Sequence, residues 1–518
     1  MTLVVKPDGN LNKTSNETIS VATITSLMSS YSYMTSSAIS LTFRKSKTDW
    51  TSIYVATCVC FIGSVQYSLY FASMWPYLQT IDPTATENFC GLIIAIYNLA
   101  QMFASPIIGT WSNKIQSSVP PLYVSLTLMI VGNFIYFFAP ILPFPFTKKW
   151  VLLIARAISG FGSANVSLLK AYACAASTSG DRSKAIAYVT GGVSIGLSMG
   201  PAFQLLFTPL GASRISLGNH VKINTFTAPA LVGNVMLVFA MILVKKYFIE
   251  KHIGVPRQRD MEKYDKLPPY DRVASSVCYF TRFCQMFVMT NLESIGTPLA
   301  MTMFAWNRAT VVRNVAIAQA LQAFCTLTTH VIYIKFDIGK KINSKQTLYF
   351  AAGGLIVFYM ATYPWPFSGG QLVVFNNNDV YAANGTELAG CNTDYFSWCH
   401  DLSPINVWVF YGSFVLILGI CYSTFNISLN TLFSKIIGPR PQAAQQGWLQ
   451  VSGGAAKFVG PIIISSLYTD HGPRWPWNVE LILMGFTLVM WLILRHRMVP
   501  LRIPESFATY QDPHDPDL

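Results

Sequence analysis

The sequence predicts an all-α polytopic membrane protein, with twelve transmembrane helices arranged as two six-helix bundles. Three observations carry that expectation. The chain has 518 residues, 52% of them hydrophobic and 11% charged, where an ordinary soluble domain is about a quarter charged. Apolar runs near the roughly twenty residues that span a bilayer core recur twelve times along it. Lys and Arg are distributed unevenly between alternate loops. This composition excludes a soluble enzyme and a disordered chain. The net charge of +13 would suggest nucleic acid in a soluble protein, but here it has an ordinary source in cytosolic loops, which are rich in basic residues. No nucleic-acid partner is expected, and the bilayer itself is the expected surrounding.

Residues 1–50 carry many Ser and Thr and no strong apolar run, which reads as a disordered cytosolic tail. Six spans follow at about 51–74, 88–109, 120–142, 150–174, 185–207 and 226–244, forming an N-terminal bundle over 51–245. A charged cytosolic linker occupies 246–273. Six more spans lie at about 275–299, 310–334, 347–364, 405–427, 443–467 and 477–494, within a C-terminal bundle over 274–497, and 498–518 form a second cytosolic tail. When the loops are assigned alternately, one side holds 25 of the 36 basic residues and the other holds six. The richer side is predicted to be cytosolic, with both termini on it.

The loop over 365–403 is expected on the opposite, luminal side. It has no Lys or Arg and contains Asn384-Gly385-Thr386, an acceptor sequence for N-glycosylation. Cys391 and Cys399 in the same loop suit a disulfide in an oxidising compartment. Two free thiols are the alternative, and both readings stay open at this point. The other cysteines show no metal-binding spacing, so neither a metal nor a cofactor is expected.

A weak internal repeat supports the division into halves. Gly192, Gly196, Gly200 and Pro201 in the fifth span correspond to Gly453, Gly460 and Pro461 in the eleventh, each the fifth span of its half. Glycines four residues apart let helix backbones approach closely, and an internal proline removes a backbone donor and favours a bend. Parallel repeats of this kind occur in transporters whose two halves rock about a midplane site.

At these motifs the chain resembles the major facilitator superfamily over essentially all twelve spans. Leu152, Arg156, Gly160 and Gly162 are similar to its fourth-helix arginine motif, and Gly196, Gly200 and Pro201 to its fifth-helix glycine–proline motif. The run from Gly109 to Lys114 stands where the family has a glycine–aspartate–arginine loop, but with Asn113 in the acidic position and without the usual following glycine and basic cluster. Trp75–Gln79, Ile81–Ala85, Ala104–Ile107, Thr297–Leu299, Ser434–Gln442 and Gly472–Trp475 resemble a lysosomal branch of the same superfamily. That resemblance implies an endolysosomal membrane and transport of an ion or small solute, with chloride among the candidates. An acid of the branch's seventh helix is replaced here by Thr302, so its role does not carry over.

Ionisable residues inside spans are costly and mark functional sites by default. There are seven: Arg156, Lys170, Arg282, Glu293, Arg313, Lys457 and Glu480. The resemblance places all but Glu480 on helices that line or flank a central cavity, five of them cationic, which predicts a path for an anion. Guanidinium and ammonium donors match carboxylate, phosphate or halide. Arg156 and Lys457 are the first choices for holding the anion. Lys170, Arg282 and Arg313 are further candidates, although the first two are also placed to snorkel towards a helix end. On a continuous helix, Arg156 and Lys170 fall within about 40° of one face and roughly 21 Å apart. Glu293 reads either as a proton-coupling group or as a partner in a structural ion pair. His330 reads as a packed, hydrogen-bonded residue.

The sequence therefore predicts an alternating-access transporter or a related conductive pathway for chloride or a small organic anion, with Glu293 as the group that would link it to protons. The alternative is a non-transporting receptor or chaperone that keeps the fold. No nucleophile, phosphate-loop or metal motif suggests an enzyme. The oligomeric state is not indicated.

Overall fold

The computed structural model describes residues 47–70, 73–82, 87–140, 148–207, 215–217, 221–253, 268–367, 369–376 and 389–502. The spanning helices of the first half are Trp50–Ser68, Glu87–Ile115, Val119–Phe138, Lys148–Ala175, Arg182–Leu205 and Ala228–Tyr247. Those of the second half are Arg272–Phe304, Arg308–Lys335, Ser344–Ala361, Val407–Ile437, Ala443–His471 and Arg474–Ile493. They are named below by ordinal from first to twelfth. The first is shorter than expected. It ends at Ser68, and a separate short helix, Met74–Ile81, occupies the end of the predicted run.

Eight of these helices are long and apolar enough to cross a membrane by length and composition. The first, fifth, seventh and ninth are of spanning length, at 19, 24, 33 and 18 residues, but are less apolar. Large apolar side chains face outward over the bundle, among them Val235 (69% exposed), Phe324 (68%) and Ile482 (68%). Such a surface is unfavourable in water and ordinary against lipid.

Helix starts in the second half follow from local chemistry. Asp271 accepts from the Val273 and Ala274 amides, Asn307 from Thr310, Asn343 from Lys345, and Asn406 from Trp408 and Val409. Each satisfies amides that the helix itself leaves unpaired. Two spans depart from a regular α-helix. The fourth breaks between Gly162 and Asn165, so Arg156 and Lys170 lie on different segments and the single-stripe arithmetic no longer relates them. The tenth contains a nine-residue π-helical stretch, Phe414–Tyr422, a feature that recurs at functional sites. There Thr326 of the eighth span donates to the Gly419 carbonyl at 3.4 Å.

Each half buries its own apolar core. One cluster runs from Ala274 to Met498, and two others lie in the first half apart from Ala443. The glycine stripes set the closest approaches. A β-carbon at Gly196 would stand 2.5 Å from the Phe61 carbonyl oxygen, and one at Gly192 2.7 Å from that of Thr57; Gly200 lies against Ser68. All three face the first span. In the second half Gly453 faces Arg282 and Met286, and Gly460 faces Phe287 and Asn291, all on the seventh span. The fifth helix of each half thus packs on the first helix of the same half. Gly160 and Gly162 fit against the backbones of Tyr97 and Ser125.

The halves meet through the second and eleventh spans, the fifth and eighth, and the fifth and tenth. On the side bearing the basic loops, called here the basic side, several contacts join them. Asn113 donates to the Pro441 carbonyl at 3.2 Å and accepts from the Ala443 amide at 3.1 Å. Lys184 pairs with Asp337 at 2.8 Å, and Lys340 with Asp181 at 2.5 Å. The residues nearest the tails also pack. Thr48 donates to Asp181, and Leu501 donates to the Lys435 carbonyl. Residues 1–46 and 503–518 lie outside the described residues.

On the opposite side Cys391 and Cys399 form a disulfide, with their α-carbons 5.8 Å apart. Residues 374–375 and 391–392 pair there as a short parallel ladder. Asn384 lies outside the described residues.

Candidate functional site

The fourth span carries Arg156 into the interior of the first half, where it is 3% exposed. Its guanidinium stands 4.9 Å from the centre of the Tyr70 ring and 4.5 Å from that of Tyr97. Among the described residues no carboxylate pairs with it, and its Nε has no hydrogen-bond partner. Two aromatic faces therefore hold a cation at a site where its charge is not neutralised. Tyr67, one turn before Tyr70, joins this wall. Its ring lies 4.9 Å from Tyr97, and its hydroxyl donates to Asn98 at 3.2 Å.

Lys457 comes from the eleventh span of the other half, with its ammonium 6.0 Å from the centre of the Tyr67 ring. Glu293 of the seventh span is the acid within electrostatic reach of Lys457, and it also acts on Tyr67 and Tyr422. No ion pair within 4 Å joins Glu293 to a described cation. Its side chain is accessible to solvent although it is ringed by groups from the first, tenth and eleventh spans. Glu293 thus lines an open space between the halves.

Arg282, one helical face along the seventh span, is buried and held by amide oxygens alone. It donates to Gln285 and to Asn426 of the tenth span, both at 2.8 Å. Asn430 donates to the same Asn426 oxygen at 2.9 Å and so fixes that acceptor. Lys170 is buried within electrostatic reach of Arg282 and Lys457. Four of the five predicted cations therefore surround one interior region, with Glu293 beside them. Arg313 does not join them. It is exposed near the end of the eighth span, 3.4 Å from its neighbour Asn314. Being placed on a flanking helix does not settle which way a side chain faces.

Gln101 and Gln450 close the region from the second and eleventh spans, with their side chains 3.4 Å apart. Tyr70, Tyr422, Gln285 and Gln450 were not singled out by the sequence. Tyr70 follows Tyr67 by three residues, a spacing that brings the two side chains to the same side of the first span. The others depend on which helices meet. His330 is buried with Nδ1 2.9 Å from the Thr326 carbonyl, and it faces Gly191 across the contact between the eighth and fifth spans. Glu480 is buried in the twelfth span and accepts from Asn291.

This geometry agrees with comparisons to known proteins. A family model described as Major Facilitator Superfamily matches residues 56–404. The chain is 30% identical over 492 residues to the Xenopus laevis major facilitator superfamily domain-containing protein 8, which covers 89% of this chain and 94% of that protein. Its fold is similar to the crystal structure of the human organic anion transporter MFSD10, with a TM-score of 0.61 and 14% identity over 85% of this chain and 98% of that one. It is similar also to the proton:xylose symporter XylE, with a TM-score of 0.61 and 11% identity over 90% of this chain and 98% of that one. The chain belongs to the major facilitator superfamily and is a membrane transporter for a small solute, not an enzyme.

Proposed function

We propose that the protein moves a small anion, chloride or an organic acid, through the space between its halves by alternating access, across an endolysosomal membrane with both termini in the cytosol. The observation that carries the reading is the convergence of Arg156, Lys170, Arg282 and Lys457, none paired with a carboxylate within 4 Å among the described residues. Arg156, Lys170 and Arg282 are buried and Lys457 is half-buried; buried cations without counter-ions are unfavourable, and an arriving anion would relieve that cost. Arg156 and Lys457 would hold it from opposite halves, so its binding would favour their approach. Glu293, accessible to solvent and close to Lys457, would exchange a proton as the solute moves. With the basic side pinned by cross-half contacts, the described form is the one that loads from the opposite side.

The direct test is uptake of radiolabelled chloride and of a panel of carboxylates into proteoliposomes, across imposed pH gradients. Uptake of an anion above protein-free vesicles supports the reading. Flux of cations or neutral sugars alone would overturn it. The placement rests on the resemblance, on the basic side and on the disulfide-bearing loop. It predicts that Asn384 is glycosylated in cells, so that a glycosidase shifts the mobility of the wild type but not of Asn384→Gln. An identical mobility before and after treatment of the wild type would count against a luminal loop.

A further inference from the structure

A second cationic site lies outside the transport path, on the basic side of the second half. Beyond the twelfth span the chain does not leave the fold. Met498 is fully buried, its amide bonds back to Leu494, and Leu501 donates to the Lys435 carbonyl at 3.1 Å. This return segment walls a cavity of about 790 Å³ against the starts of the seventh and ninth spans. Lys345, Arg495, Arg497 and Arg502 line it, with His496 beside them and Asp271 as the lining carboxylate. Asp271 is already engaged by the Val273 and Ala274 amides and by Arg497 at 3.7 Å. Four cationic side chains thus face one committed acid, in a volume typical of small-ligand sites (roughly 300–1,000 Å³).

Two features identify the ligand. Arginine forks match phosphate oxygens in pairs, and several cations around one cavity suit several phosphates. Exposed apolar side chains adjoin the cavity. Phe350 (64% exposed) follows the lining residue Tyr349 and lies one turn beyond the lining residue Gln346 on the ninth span, and Ile493 (72% exposed) precedes Arg495 by two residues. A soluble phosphate would make no use of that apolar edge. We propose that this cavity binds the multiply phosphorylated headgroup of an anionic phosphoinositide, with its acyl chains lying along Phe350 and Ile493. Basic pockets between spanning helices on the cytoplasmic face suit such headgroups. The inference rests on the proposed cytosolic placement of the basic side, and not on the transported solute.

The test uses the full chain purified in detergent, where both faces are accessible and no flux is needed. Short-chain phosphatidylinositol bisphosphate is titrated while the thermal midpoint is followed, since a ligand of the folded state raises it. The expected result is saturable stabilisation, weakened about thirtyfold in affinity by Arg495→Gln with Arg502→Gln and largely kept by the two lysine substitutions. Neutralising Lys245 and Lys246, basic residues at the end of the sixth span, is expected to leave the affinity unchanged. Equal binding by the glutamine variant overturns the proposal, as does an equal response to phosphatidylcholine. An equal response to inositol trisphosphate or inorganic phosphate overturns the lipid assignment. If the double glutamine variant does not elute as a monodisperse species, Arg502→Gln alone replaces it, with about a fivefold weakening expected and unchanged affinity overturning the proposal. Binding in detergent survives a failed transport reading. Sidedness is read separately, by labelling a His496→Cys variant in sealed vesicles.

Discussion

Arg156 is a buried cation held by aromatic rings, with no ion pair to a described carboxylate, and in the proposed function it is the host for the anion. Tyr70 and Tyr97 supply attraction for the cation without supplying charge, which in the proposed function leaves the guanidinium available to an incoming anion. Arg282 is restrained on the same principle, by the amides of Gln285 and Asn426. Glu293 has the opposite character, an accessible carboxylate that faces Lys457 with no contact ion pair. Glu293→Gln is expected to flatten the pH dependence of transport while leaving the protein folded, measured as flux against pH in vesicles. A pH profile identical to that of the wild type would remove the proton role. Their selection as candidates was legible from the cost of placing charge in a membrane helix. Their partners were not legible, because a sequence does not say that Tyr70 turns towards the fourth span or that Arg313 turns away.

Among the elements, the glycine stripes translated most directly from sequence into structure. Gly192, Gly196 and Gly200 repeat every four residues and so share one face, and that face lies on the first span. Gly196→Leu would drive a side chain into the Phe61 carbonyl. It is expected to cost about 1–3 kcal/mol by overpacking, read as a lowered thermal midpoint; an unchanged midpoint would contradict the close packing. The break at Ser163–Ala164 and the π stretch at Phe414–Tyr422 were not legible. Both sit in segments whose apolar patterning fits a regular helix, and only packing against neighbours distinguishes them.

The basic-side contacts form the other element-scale device. At Asp181, burial pushes the carboxyl up, but the Lys340 ammonium and the Thr48 and Thr178 hydroxyls outweigh it and hold the group below its ordinary value of 3.8. Because the shift is downward, the pair contributes at all pH values above the ordinary one and is lost only as the pH falls below it. Asp181 is therefore ionised at neutral pH and its pair with Lys340 is intact. Exposed pairs are worth at most about 1 kcal/mol each. Replacing both Asp181 and Asp337 with Asn is expected to favour the form open on the basic side by up to roughly thirtyfold. The measurement is the rate at which a thiol reagent reaches a cysteine introduced at Gln450 from that side. An unchanged rate would show that the pairs do not hold the halves together.

For the whole molecule, twelve helices, two halves and an interior rich in positive charge were all readable from apolar runs, loop charge and the repeat. The assembly adds the joint site, because the Lys457 ammonium comes 6.0 Å from the Tyr67 ring only when the two halves are brought together. In the proposed transport cycle an anion held by Arg156 and Lys457 passes between the two halves. Anion uptake by matched proteoliposomes containing wild type, Arg156→Gln or Lys457→Gln tests it most directly. At least a tenfold loss of flux is expected in each variant, with unchanged elution and thermal midpoint. Wild-type flux in both well-folded variants would contradict it.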